Sequence, residues 1–157
     1  MIVAALTLAG CGSDLHDSKG FKRLDRSRDE VIGAAKKIRS DSRAQTQPSE
    51  NYYGSYRPCT KKGVVHYNLE TDWIAPKGDK DDLRTFDYIA NILRGEGWTD
   101  HETPSRGRRL MKRGSLEILI YVKPGASWIT GYISSACYSV TDTAGEFLNR
   151  KTDYLHG

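Results

Sequence analysis

The 157-residue sequence predicts an α+β fold, a two-layer sandwich with one main helix packed on a four-stranded antiparallel sheet in the order β-α-β-β-β, preceded by a short N-terminal helix. Three observations carry this expectation. Val65, Tyr67, Leu69, Thr71 and Trp73 alternate strictly with His66, Asn68, Glu70 and Asp72, which is the period of a half-buried strand. Leu83, Phe86, Ile89, Ala90 and Leu93 then recur at helical spacing. Three further runs, over 108–112, 116–123 and 128–136, are joined by the hairpin-length connections Arg113-Gly114-Ser115 and Lys123-Pro124-Gly125-Ala126.

In chain order, Ser27-Arg28-Asp29-Glu30 reads as a capping box opening a short helix over about 28–42, with Val31, Ala34, Ala35 and Ile38 as its apolar stripe. A stripe this rich in alanine predicts weak docking, either free in solvent or with Lys36, Lys37, Arg39 and Arg43 against anionic headgroups. Residues 40–56 have linker composition, except that Tyr52, Tyr53 and Tyr56 offer apolar faces expected to pack on the domain. After the first strand, Pro76-Lys77-Gly78 turns the chain, and Asp79, Asp81 and Asp82 suit a helix N-terminus. Gly95 stops that helix, and Trp98 is expected to fold back over the seam between helix and sheet. Beyond Val140 the expectation is irregular chain or a short helix over 144–150.

Apolar residues make up 38% and charged residues 28% of the chain, lean for a globular protein, so part of it is expected to lie outside the core. The net charge of +4 is too small and dispersed for a basic-tail chromatin protein, and no nucleic-acid partner is expected.

Residues 1–10 carry no charge and are too short to span a bilayer, which marks them as an address. They end in Leu8-Ala9-Gly10-Cys11, followed by Gly12-Ser13-Asp14, and this string resembles the lipobox of bacterial lipoproteins. The resemblance implies lipidation at Cys11, a signal peptide over 1–10, and attachment to the extracytoplasmic face of the cell membrane. With Cys11 used in this way, export leaves Cys59 and Cys137 as an oxidisable pair, closing a loop of about 80 residues. The chain then divides into a lipidated tether over 11–56, a disulfide-closed α+β domain over 57–140 and a C-terminal tail over 141–157. Lipobox, tether, a Cys before the first strand, Gly95-Glu96-Gly97-Trp98 and a last strand ending in Cys are together similar to small actinobacterial-type cell-surface lipoproteins of unassigned role. That group implies a location and a scaffold, and no catalytic residues.

Nucleophile-elbow, phosphate-loop, dinucleotide-binding and zinc-protease motifs do not occur, so no catalytic residue, cofactor or metal is assigned. The row His66, Asn68, Glu70 and Asp72 is either a solvated sheet face or, in a hydrolytic alternative, a base with a carboxylate from Glu70 or Asp72. Tyr121, Trp128 and Tyr132 fall on the same outer face, where they form a partner-binding surface unless the Tyr52-Tyr53-Tyr56 segment or the tail covers them. Arg106, Arg108 and Arg109, with Lys112 and Arg113, either meet an anionic partner or protect a sheet edge. The expected function is a non-catalytic, membrane-anchored binding module for a cell-wall polymer or envelope protein.

Overall fold

The computed structural model describes residues 14–74, 82–122, 128–140, 144–150 and 152–156. Its elements in chain order are α1 (Asp14–Ser42), β1 (Gln47–Pro48), β2 (Asn51–Pro58), β3 (Val64–Ile74), α2 (Asp82–Gly95), β4 (Thr99–Asp100), β5 (Arg108–Arg113), β6 (Leu116–Val122), β7 (Trp128–Ser134), β8 (Tyr138–Ser139), α3 (Ala144–Leu148) and β9 (Asp153–His156). All nine strands join one antiparallel sheet in the order β4-β5-β6-β7-β3-β2-β9, with β1 and β8 pairing alongside β3. This corrects the expected architecture: three helices accompany a nine-stranded sheet, in place of one main helix on four strands.

The expected alternation holds along β3, where Val65, Tyr67, Leu69, Thr71 and Trp73 are buried and His66, Asn68, Glu70 and Asp72 are not. Ile129 and Ile133 of β7 and Ile118 and Ile120 of β6 continue the inner face, and Phe86, Ile89, Ala90 and Leu93 of α2 pack on it. Trp98 is buried as expected, with the Arg113 guanidinium 4.7 Å from its ring centroid.

Three of the extra strands, β1, β2 and β9, arise largely where composition suggests linker and tail, while β4 and β8 are two-residue additions inside the predicted domain. Tyr52, Gly54 and Tyr56 of β2 turn inward, and the strand pairs with β3 from Tyr53↔Glu70 to Pro58↔Val65. On its other edge it pairs with β9 from Asn51↔His156 to Gly54↔Asp153. Leu24, Val31 and Ile38 of α1 and Tyr52 and Tyr56 of β2 therefore share one core with the predicted domain. The short helix expected over 28–42 is a 29-residue helix, and Leu24, Val31, Ala34, Ala35 and Ile38 are all buried beneath it. Its alanines, read from sequence as a weak stripe, belong to the buried cluster shared with the sheet.

Polar groups fix the position of α1. Trp73 Nε1 donates to Ser42 Oγ at 3.0 Å, and Arg39 Nη1 donates to Thr71 Oγ1 at 3.1 Å while Nη2 donates to the Ser49 carbonyl. Arg39 is thus buried over the Tyr52 ring and cannot reach a headgroup, in contrast to exposed Lys36, Lys37 and Arg43. Arg28 grips Asp153 of β9 through Nε at 2.8 Å and Nη2 at 3.0 Å, and Tyr67 Oη donates to the same carboxylate at 2.7 Å. Phe147 of α3 is buried against Phe21 and Tyr56, with ring centroids 4.7 and 4.9 Å away.

Cys59 and Cys137 are disulfide-bonded, with Cα atoms 6.4 Å apart and 78 residues of sequence separation. Cys59 lies just beyond the Pro58↔Val65 pair and Cys137 just before Tyr138↔Val65, so the bridge straps β2 to the β7–β8 connection across β3. The leader 1–10, Cys11, the Pro76-Lys77-Gly78 turn, Asp79, Asp81 and the Lys123-Pro124-Gly125-Ala126 connection lie outside the described residues. Among the described residues no helix is long and apolar enough to cross a membrane.

Candidate functional site

All three helices contribute to the cluster on the inner face, and among the described residues no helix packs on the opposite one. Strand register orders that open face into transverse rows, because directly paired residues share a face. One row runs Tyr154, Tyr53, Glu70, Tyr132, Leu119 and Leu110 across β9, β2, β3, β7, β6 and β5. At about 4.8 Å between strands it is roughly 24 Å long. Beside it lie Asp72, Thr130, Tyr121 and Arg108, then Ile74 opposite Trp128. On the other side Ser55, Asn68, Ser134, Glu117, Lys112 and Thr99 form a polar row.

The predicted rings Tyr121, Trp128 and Tyr132 all reach this face. Tyr121 and Tyr132 stack with centroids 6.1 Å apart and planes 17° from parallel, while Trp128 is 41% exposed beside the exposed Ile74. A hydrogen bond with Tyr121, burial and the nearby Glu70 carboxylate hold the Tyr132 hydroxyl above its ordinary pKa, so it stays a neutral phenol. Tyr53 and the 68%-exposed Tyr154 form a second, edge-on pair at 5.4 Å. Sequence reasoning missed this pair because it requires β2 and β9 to be adjacent strands. The Tyr52-Tyr53-Tyr56 segment does not cover the face: Tyr52 and Tyr56 point into the core and Tyr53 joins the open surface.

The polar groups of the face are tied down locally. Thr130 Oγ1 donates to Asp72 at 2.7 Å, Ser134 Oγ to Asn68 Oδ1 at 2.8 Å, and Lys112 pairs with Glu117 at 2.8 Å. The hydrolytic alternative lacks its geometry. His66 and Glu70 stand two strand repeats apart, about 13 Å, and Asp72 is farther still, beyond hydrogen-bond reach of the imidazole.

The arginines separate. Arg108 lies on the open face, paired with Glu102 at 2.9 Å. Arg109 points to the other side, 17% exposed between Asp87 and Asp100 at 3.6 Å each and near the Phe86 ring, where it seals the sheet against α2. Arg106 is exposed and lines a cavity of about 300 Å³ with Arg109, Asp87 and Phe86. A larger groove, about 460 Å³, runs between α1 and the β5–β6 hairpin on the helix side, away from the open face.

At one end of the open face His66 approaches the disulfide, and its ligating nitrogen and both sulfurs lie within 4.8 Å of one another. Burial, with the neighbouring Arg57 charge, lowers the imidazole pKa, which Glu117 only partly opposes. The sequence carried a signal for this cluster in the seven-residue step from Cys59 to His66, which closes once β2 and β3 form a hairpin. Comparison with protein-family models, with curated proteins and with solved structures returns no match to this chain.

Proposed function

We propose that the chain is a membrane-anchored extracytoplasmic lipoprotein whose folded part is a non-catalytic binding module for a cell-wall polymer. The observation that carries this reading is the helix-free sheet face with Trp128 and the pairs Tyr121–Tyr132 and Tyr53–Tyr154. Flat rings set beside carboxylates, amides and Arg108 suit sugar rings, whose apolar faces stack while their hydroxyls find hydrogen bonds. The anchor is supported by Leu8-Ala9-Gly10-Cys11, and by the Cys59–Cys137 bond, since such bonds persist in oxidising compartments.

Pull-down on purified cell-wall fractions tests the binding face. Trp128→Ala and Tyr132→Ala should each lower retention about 10-fold, the effect of losing roughly 1.4 kcal/mol of contact with the polymer, with circular dichroism confirming that each variant is folded. Retention equal to wild type would sink the wall-binding reading, and loss of a cross-linked envelope protein in its place would transfer the face to a protein partner. Cys11→Ser should release the protein from membranes, and a variant that still pellets with them would remove the anchor from the account.

A further inference from the structure

The β2–β3 hairpin and the β7–β8 connection bring three soft donor atoms to one corner of the sheet: Sγ of Cys59, Sγ of Cys137 and a ring nitrogen of His66. We propose that reduction of the Cys59–Cys137 disulfide converts this corner into a Zn²⁺ site, with two thiolates and the His66 imidazole as protein ligands and the fourth position open to water.

The donor set and the backbone both fit. Two thiolates and an imidazole select zinc over the hard cations Mg²⁺ and Ca²⁺, and three protein ligands plus water is a recurrent zinc arrangement. Zn–S bonds of about 2.3 Å put two thiolates about 3.8 Å apart. Cysteines with Cα atoms 6.4 Å apart reach that separation by side-chain rotation. His66 is carried on the central strand β3, held by partners on both sides, so the imidazole is already placed when the thiols appear. Two thiolates neutralise the charge of Zn²⁺.

The redox step needs a dithiol reductant. Its thiolate attacks the exposed Cys137 Sγ, forming a mixed disulfide and releasing Cys59 as a thiolate; its second thiol then closes the reductant's own disulfide and frees Cys137. Zn²⁺ displaces the remaining thiol protons to solvent. The site is independent of what the aromatic rows bind.

The test uses the full chain carrying Cys11→Ser, so that no third thiol competes. It is reduced with a phosphine, which becomes the phosphine oxide by taking oxygen from water, then desalted without air and titrated with Zn²⁺ or, as a spectroscopic probe, Co²⁺. The reduced chain should take up one equivalent and show thiolate-to-cobalt charge-transfer absorption, and the oxidised chain should show neither. His66→Ala should weaken binding by at least about 10-fold. Circular dichroism follows the fold throughout: if reduction unfolds the chain, one equivalent of Zn²⁺ should restore the folded spectrum. A reduced chain that takes up no stoichiometric metal and is not refolded by it, an oxidised chain that binds equally, or a His66→Ala chain of unchanged affinity would each overturn the proposal.

Discussion

Replacing Asp153 by Asn removes one charge from the joint between α1, β3 and β9. The carboxylate accepts from Arg28 Nε at 2.8 Å, from Arg28 Nη2 at 3.0 Å and from Tyr67 Oη at 2.7 Å. Asparagine keeps one acceptor oxygen and turns an amide N–H₂ toward donors. Hydrogen bonds to charged groups contribute about 1.5–3 kcal/mol each, but Arg28 and Asp153 side chains remain 32% and 27% exposed, so solvent screens the pair. The expected loss is about 2 kcal/mol, or roughly 4–8 °C in melting temperature for a chain of this size. Burial raises the Asp153 pKa, but the hydrogen bonds from Arg28 and Tyr67 outweigh it and hold the carboxyl below its ordinary value. A depressed folded-state pKa means that the stabilisation is fully present above about pH 4 and is lost as pH falls through the folded value. Urea denaturation of both proteins should show a gap of about 2 kcal/mol at pH 7 that narrows strongly by pH 2.5. A gap of the same size at both pH values, or none at pH 7, would refute this account of the joint.

Removing the disulfide in Cys59→Ser/Cys137→Ser frees a loop with 78 residues of separation, for which chain entropy gives about 4.5 kcal/mol, read as a lower denaturation midpoint. An unchanged midpoint would mean that the bridge contributes nothing to the fold. Gly131→Ala would bring a Cβ to within 2.6 Å of Trp73 Cζ3, so the buried Trp73 ring or its surroundings must shift at a cost of about 1–3 kcal/mol. Thermal melting with near-ultraviolet dichroism checks it, and a variant as stable as wild type with an unaltered Trp73 signal would contradict this packing.

Period-two and helical patterns were readable where one residue type fills one face. β3, α2, the β5–β6–β7 meander and the outward rings Tyr121, Trp128 and Tyr132 follow from such patterns. β2 was hidden because its inner face holds a glycine between two tyrosines. Gly54 looks like a strand breaker, yet a Cβ there would sit 1.8 Å from Tyr67 Oη, so the ring of one strand occupies the vacancy of another. No single-strand pattern encodes that exchange. β9 is four residues long and follows a segment without apolar alternation, and in the first half of α1 the anchors among the described side chains are Phe21 and Leu24. The site inherited these blind spots: Tyr53 and Tyr154 meet only through the β2–β9 register, and strand alternation sends the adjacent Arg108 and Arg109 to opposite sides.

The strap over β3 also determines how the molecule bears mechanical load. A chain pulled from its two ends feels the load first in whatever lies outside the joined sulfurs. With 78 residues locked between the joined sulfurs, about 270 Å of contour length cannot be drawn out while the bond survives. β3, β5, β6 and β7 lie within the locked stretch, so a pull on the ends acts first on the elements outside it, β2 and β9 with the Tyr53–Tyr154 pair among them.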